Sequence, residues 1–403
     1  MPDGARNAPV ATLHVLAAFP VLSETFISNE IRALRARGHR VVPLAIAPYD
    51  GPCQPEDEVF RGETVVLGAQ PRGAALFGAM LGALANPAGL ARALAFCRAQ
   101  KALSVPSLLL AGARAALVAR REGVEHVHAH YAHGAGAIAI VAARLAGLPC
   151  SFMSHGYDVY GAPADIPVKL AAADAVIATC EDMRADFLAM TSGAPVHVIP
   201  CGVDPARFRR PATPPPSNGR ILAIGRLSEQ KGYPVLIEAL ARLPEAERPV
   251  VEAVGAGVLL DELQALAAAR GVADRMRFLG PRPSTWIAEH GPAYAGFVAP
   301  YVICANGDRD TSPVSVKEAM GMELPVLAST VTGNKEMVTA ETGRLIPPAD
   351  ADALAEGLRW LAGLAPEERR RLGAAGRQRL LDRFTLDYQA ERLGQVFAGC
   401  RRA

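Results

Sequence analysis

No two of the seven cysteines (Cys53, Cys97, Cys150, Cys180, Cys201, Cys304 and Cys400) sit at metal-ligand spacing, and their number is odd. That argues against a disulfide framework or a zinc ribbon and predicts reduced thiols in a cytoplasmic protein. Net charge is nearly absent as well: 42 Lys and Arg stand against 40 Asp and Glu, a formal +2. A whole-protein basic field for nucleic acid is thereby excluded. There is also no long uninterrupted apolar run. The stretch from Pro9 to Leu22 follows Arg6, but His14 and Pro20 break it and no small-residue cleavage site comes after it. It reads as a first strand, Thr12 to Ala18, and not as a signal peptide. The charge-poor segment around Asn86-Pro87 holds several glycines and makes a poor transmembrane span.

Half of the 403 residues are apolar, enough for two or three domains with real cores. Short apolar runs alternate with longer amphipathic ones. Strands are predicted at Leu13–Ala17, Val41–Ile46, Val124–Val127, Ala175–Ala178 and Val196–Ile199, with helices such as Glu24–Arg37 and Ala135–Ala146 between them. The alternation restarts at Ile221–Ile224 and continues through Tyr233–Arg242, Val250–Val254, Val258–Arg270, Arg277–Leu279, Gly296–Ala299 and Val326–Ala328. This is the signature of α/β architecture with two parallel sheets. The segment between them, 207–219, carries Pro211 and Pro214 to Pro216 and reads as a linker. The predicted organisation is an N-terminal Rossmann-like domain over 1–206, the linker 207–219 and a C-terminal Rossmann-like domain over 220–385. A ligand cleft is expected at the carboxyl ends of the strands.

Strand 221–224 runs directly into Gly225-Arg226-Leu227-Ser228-Glu229-Gln230-Lys231-Gly232. A glycine turn with two cations at a strand's carboxyl end suits a diphosphate: Arg gives a forked contact and Lys a compact charge. Later comes Asp308-Arg309-Asp310-Thr311-Ser312-Pro313-Val314-Ser315-Val316-Lys317-Glu318. Ser312 is a suitable N-cap and Pro313 a suitable first helical residue, so a helix opening with free N–H groups is predicted there, suited to an anion or to sugar oxygens. Glu318, deeper in that helix, has the acceptors for both hydroxyls of a ribose. Asp310 lies where it can bind sugar hydroxyls. Read instead as Asp-x-Asp, Asp308 and Asp310 would hold a divalent ion against a diphosphate. Arg226 and Lys231 already supply the cations, which favours a metal-independent site without cofactor.

These motifs resemble those of the family 4 glycosyltransferases of GT-B architecture. The loop Gly225-Arg226-Leu227…Lys231-Gly232 matches, as does the Glu-x7-Glu position, here Asp310…Glu318 followed by Ala319-Met320 and Pro325-Val326. The first Glu has become Asp, one methylene shorter. Cys201-Gly202-Val203-Asp204, Phe278-Leu279-Gly280 and Gly333…Glu336 match too, so the resemblance spans nearly the whole chain. It implies a retaining transferase that takes a sugar from a nucleotide diphosphate sugar. Gly225, Arg226, Lys231, Asp310, Thr311, Ser312, Pro313, Val314 and Glu318 would then bind the donor, and the C-terminal helix near 386–403 would cross back to the N-domain.

In the N-terminal half, Phe19-Pro20…Ser23-Glu24-Thr25-Phe26…Glu30 replaces the family's usual glycine-rich loop. It is similar to the bacterial exopolysaccharide transferases typified by colanic acid biosynthesis enzymes, which implies a saccharide acceptor, free or lipid-linked. Ser23 is read as the cap of the following helix and Glu24 as a first-turn carboxylate, with Thr25 beside them. The run His126, His128, His130 alternates along a strand and raises a metal reading. No carboxylate or Cys nearby in sequence completes a ligand set, and the family has a His-x-His here without metal. Ser154-His155-Gly156-Tyr157-Asp158 matches the family's His-Gly-x-Asp segment, which implies that His155 faces the donor sugar and either donates a hydrogen bond to a sugar hydroxyl or stabilises the transition state. His155, Arg226, Lys231 and Asp310 are the predicted catalytic set. Ser23, Glu24, Thr25, His130 and Asp158 are the predicted acceptor contacts. The alternatives are a GT-B-fold epimerase or phosphorylase, and a degenerate transferase that only binds or assembles saccharide.

One absence is local. Between Thr64 and Arg121 there is no Asp or Glu, while Arg72, Arg92, Arg98, Lys101, Arg114, Arg120 and Arg121 are all cationic. Apolar residues such as Leu81, Leu84 and Leu108-Leu109-Leu110 fill in between. The near-neutral chain thus conceals a basic flank. It reads either as a basic amphipathic surface for an anionic membrane at the inner face of the cell membrane, or as a helical layer with a basic polar side.

Overall fold

The computed structural model describes residues 8–69, 73, 77, 78, 82, 84, 86–191, 193 and 195–400. Arg6, Arg72 and Leu81 lie outside them. The chain divides into two compact units, one made of Met1–Pro200 with Leu386–Ala403, the other of Cys201–Thr385.

The first unit is built on a seven-stranded sheet in the order β3-β2-β1-β4-β5-β6-β7. Its strands are β1 Ala11–Leu16, β2 Arg40–Ala45, β3 Val65–Val66, β4 His126–His130, β5 Cys150–Met153, β6 Ala175–Ala178 and β7 Val196–Val198, all paired in parallel. Its longer helices are α1 Thr25–Ala36, α2 Pro87–Ala99, α3 Val105–Arg121, α4 Gly134–Ala146, α5 Glu181–Met190 and, returning from the far end of the chain, α11 Leu386–Gly399. Near-continuous apolar strands such as Ala175–Ala178, buried at every residue, are what a parallel sheet covered on both faces demands. Strand β4 begins two residues later than the apolar run Val124–Val127 suggested, because Val124 still donates its N–H to Ala119 at the end of α3. Its alternating His126, His128 and His130, expected along a strand, are each wholly buried.

The second unit carries a six-stranded parallel sheet, β10-β9-β8-β11-β12-β13. Its strands are β8 Ile221–Ile224, β9 Val251–Val254, β10 Met276–Gly280, β11 Gly296–Ala299, β12 Val326–Ser329 and β13 Gly343–Ile346. Its helices include α6 Tyr233–Arg242, α7 Leu260–Ala269, α8 Val314–Gly321, α9 Ala351–Ala362 and α10 Pro366–Arg383. Two apolar clusters fill this unit: α6 and α9 contribute Leu236, Leu240, Leu354 and Leu358 to one, and α8 contributes Val316, Ala319 and Met320 to the other. Both units are Rossmann-like, as the strand–helix alternation predicted.

Within the basic flank, the apolar side of α3 is not available to a bilayer. Leu108, Ala113, Ala116 and Val118 are buried, and the helix packs against α4. The cations Arg92, Arg98, Lys101, Arg120 and Arg121 are exposed, as are Phe77 and Leu84, which keep 62% and 81% of their surface. Among the described residues no helix is long and apolar enough to cross a membrane.

Candidate active site

In the second unit the site is assembled at the carboxyl ends of β8, β11 and β12. Strand β8 ends at Ile224, and the turn beyond it depends on glycine. At Gly232, φ is +67° and a Cβ would lie 1.8 Å from the Pro300 carbonyl oxygen. At Gly255, after β9, a Cβ would lie 1.9 Å from the Gly225 carbonyl oxygen. These contacts fold the loop tightly enough to bring Lys231 inward. Its ammonium meets Asp310 Oδ2 at 2.6 Å and lies 4.1 Å from the centre of the Tyr301 ring. Burial alone would lower the Lys231 pKa; the opposing charge of Asp310 outweighs it and the net shift is upward. Asp310 is fixed in turn through its backbone carbonyl, which accepts the Thr332 hydroxyl. Tyr301 is locked by Ser315, 2.9 Å from its hydroxyl, and by Ser329, which donates to its carbonyl at 2.6 Å.

Glu318 stands half-buried on α8, and desolvation pushes its carboxyl up to about 7 against the lowering charges of Arg207, Lys231 and Lys317. Arg226 is exposed and does not join the Lys231–Asp310 pair. It lies near Asp308, whose carboxyl burial raises against the pull of the Arg309 N–H and of Arg226. Thr311 and Pro313 are buried, and Ser312 and Val314 half-buried, at the opening of α8. Ser312 is not the N-cap: the helix begins at Val314 with Pro313 in the cap position. The Ser312 hydroxyl instead accepts a 2.6 Å hydrogen bond from Lys317, a wholly buried ammonium that also holds the Ser312 carbonyl at 3.1 Å. A buried ammonium needs acceptors more than a helix end needs a cap, since the helix can leave an N–H to solvent.

In the first unit the constellation gathers where β1, β4 and β5 end. His155 follows β5. Its ring has Phe26 at 4.5 Å and Tyr131 at 4.9 Å between centroids. Burial, with the neighbouring His130, holds the imidazole well below its ordinary pKa and so neutral. Tyr131 adopts φ +70°, a strained backbone for a non-glycine residue, and its hydroxyl donates to Glu24 at 3.1 Å. Ser23 does not cap α1; residues Leu22–Glu24 form a separate short turn, Glu24 takes the cap position without a side-chain cap bond, and Ser23 is exposed. Thr25 is half-buried at the helix start.

Two predicted acceptor contacts have other work. Asp158 is wholly buried, and its two oxygens accept the backbone N–H of Ala132 at 2.7 Å and of His155 at 3.0 Å. It braces the loops that follow β4 and β5, and has no face for a substrate. His130 is also wholly buried, with Nδ1 2.9 Å from His155 Nε2 and Nε2 3.1 Å from Glu30 Oε1. Glu30 supplies the carboxylate that the sequence neighbourhood of the histidines lacked. With His14 and His130 it forms a three-residue group whose ligand atoms lie within 4.8 Å of one another. Among the described residues no such group includes Asp308 and Asp310. Sequence reasoning missed Tyr301, Lys317, Thr332, Glu30 and Gln389, whose side-chain amide on α11 donates to Glu30 Oε2 at 2.6 Å. One signal for Glu30 was present: it sits in the apolar stripe Ile27, Ile31, Leu34, where a solvated carboxylate does not belong.

Residues 23–207 match the family described as Glycosyltransferase Family 4, and residues 206–379 match Glycosyl transferases group 1. The chain is 32% identical over 176 residues to the putative colanic acid biosynthesis glycosyltransferase WcaL of Escherichia coli strain K12, covering 43% of each chain. It is 32% identical over 166 residues to the amylovoran biosynthesis glycosyltransferase AmsK of Erwinia amylovora, covering 40% of each. The matched region thus spans well under half the length of these curated relatives. Anabaena HepE, solved in complex with UDP, superposes with a TM-score of 0.73 over 97% of this chain and 100% of that one, at 17% identity.

Proposed function

We propose that the chain, whose two halves match the Glycosyltransferase Family 4 and Glycosyl transferases group 1 families and whose fold is GT-B, is a retaining glycosyltransferase that moves a sugar from a nucleotide diphosphate sugar to a saccharide acceptor. WcaL and AmsK are named for the biosynthesis of colanic acid and amylovoran, which supports an acceptor in exopolysaccharide or glycoconjugate assembly. The UDP in the HepE complex supports a nucleotide donor. The observation that carries the reading is the Lys231–Asp310 pair, whose ammonium also acts on the Glu318 carboxyl and whose Asp310 precedes the opening of α8. A compact cation, helix N–H groups and a carboxylate for ribose hydroxyls are what a nucleotide diphosphate sugar requires.

Same-face substitution fits these residues. In that scheme the sugar passes through an oxocarbenium-like state, and the departing diphosphate takes the acceptor's proton. The protein positions both substrates and stabilises the charge of the leaving group. Lys231, Arg226 and the N–H groups at 314–316 would do this without a metal. Asp310, one methylene shorter than the family's glutamate, reaches Lys231 and would orient it. His155 would meet the sugar. The free thiols, five of the seven buried, support a cytoplasmic setting. The exposed cations of 64–121 with Phe77 and Leu84 support contact with an anionic membrane surface, where a lipid-linked acceptor resides.

The test is a binding screen of UDP, GDP and ADP sugars, followed by assay of released nucleoside diphosphate with and without candidate acceptors and mass spectrometry of the product. Release that depends on acceptor is expected. Donor turnover without acceptor would point to an epimerase or hydrolase, and binding without turnover to a saccharide-binding protein.

A further inference from the structure

Glu30 is 1% exposed within α1, among Ile27, Ile31 and Leu34. A carboxylate withdrawn from water to that extent needs a counter-charge or hydrogen-bond donors. Gln389 on α11 donates its side-chain amide to Oε2 at 2.6 Å. Oε1 faces two imidazoles from the sheet: His130 Nε2 on β4 at 3.1 Å and His14 Nδ1 on β1 at 3.9 Å. The side chains of all three residues have no exposed surface, and one ligand atom from each lies within 4.8 Å of the others.

His14 is the member that hydrogen bonding leaves unexplained. Both of its ring nitrogens are buried and neither has a hydrogen-bond partner. At 3.9 Å, Nδ1 is beyond hydrogen-bond reach of the carboxylate. A polar side chain buried without a partner is costly, and each one in a folded chain calls for a reason. His128, its cross-strand neighbour, has the same defect at Nε2, with its ring centre 4.9 Å from that of His14. Buried nitrogens that no hydrogen bond satisfies are thus gathered around one carboxylate.

We propose that His14, Glu30 and His130 are the protein ligands of one divalent metal ion, zinc by the character of the set, enclosed in the first unit. Imidazole nitrogen and carboxylate oxygen bind zinc at about 2.0–2.2 Å, which sets neighbouring ligand atoms roughly 3.3 Å apart. The 3.1 Å between His130 and Glu30 is already close to that spacing, and drawing His14 in from 3.9 Å takes a shift of less than an ångström. The surroundings supply the outer contacts that a metal site requires. Gln389 holds the carboxylate by its other oxygen. His130, bound through Nε2, carries its hydrogen on Nδ1, 2.9 Å from His155 Nε2. Three protein ligands serve zinc when a water or a further side chain takes the fourth position. With no exposed surface the site is structural: it ties β1, α1 and β4 together, and α11 through Gln389. The histidine run by itself lacks a carboxylate, and the fold brings one from 100 residues away. The metal-independent chemistry proposed at Lys231 is unaffected by it.

Metal analysis of protein expressed in zinc-supplemented medium and passed through gel filtration is the test. One zinc per chain is expected in the parent, well under half of that in H14F and in E30Q, and the parent value in D308N, which alters the Asp-x-Asp segment instead. H14F keeps an aromatic ring beside Phe397, where H14A would open a hole, and E30Q removes the charge alone. Stripping the parent with a chelator is expected to lower its thermal midpoint by more than about 5 °C, with little effect on H14F. Cobalt(II) incorporated in place of zinc is expected to absorb in the visible without the near-ultraviolet thiolate band of a cysteine site, which reads the ligands in the parent alone should both variants fail to fold. Metal far below one per chain in the parent, half or more of the parent's metal in either H14F or E30Q, loss of metal in D308N, or a cobalt–thiolate band would overturn the proposal.

Discussion

Lys231 carries its positive charge into a setting that water barely reaches, and Asp310 is the reason it stays charged there. The ammonium is thereby oriented before any ligand arrives, which is the condition for strong charge stabilisation during reaction. Lys231→Ala is expected to lower turnover on the order of 10²–10³-fold while the protein still unfolds cooperatively; release of nucleoside diphosphate checks the first and thermal denaturation the second. Glu318 makes a prediction in pH. With its carboxyl near 7 in the free protein, a proton must leave before both oxygens can accept ribose hydroxyls. Nucleotide affinity is therefore expected to rise about tenfold from pH 6 to pH 8 and to lose most of that slope in E318Q, measured by calorimetry at several pH values. A slope of opposite sign would mean that the neutral carboxyl is the binding form.

The elements that carry these side chains are short, and the turns between them set the geometry. Gly232 shows how little room is left. A Cβ at φ +67° and 1.8 Å from a carbonyl oxygen meets both backbone strain and a clash with a rigid neighbour. Gly232→Ala is expected to cost on the order of 1–3 kcal/mol or more by chemical denaturation, and to loosen Lys231 with it. Strands β8, β11 and β6 were legible to the residue, since each is an apolar run bounded by polar or glycine punctuation. Helix α6 was equally plain from its apolar stripe. The loop 225–232 and the opening of α8 were legible as motifs because their residues are local in sequence. The start of α8 was not, because Lys317 competes for Ser312 from inside the helix. The alternating histidines were read on a strand, but the bounds of β4 were misplaced because histidine carries no apolar signal from which to set an end. The partners of His130 were hidden by distance along the chain: Glu30 lies 100 residues before it. Gln389 lies 359 residues after Glu30.

At the scale of the whole molecule, near-neutral net charge and a one-sided basic flank coexist because the acidic residues are excluded from 64–121. Flotation with anionic liposomes is expected to carry the parent protein, and to lose it when Arg92, Arg98 and Lys101 are changed together to Glu. Equal flotation of both would leave the flank as an ordinary solvated surface. The return of α11 to the first unit has a consequence for synthesis on the ribosome. That unit is begun first and finished last. Until residues 386–399 have been made, Glu30 has no Gln389, and His14, His126 and His128 lack the Phe397 ring that packs on all three. The second unit has every residue it needs once Thr385 has emerged. The histidine cluster therefore matures only after the second unit can already fold, so a nascent chain halted before α11 would hold a finished second unit and an unfinished first one.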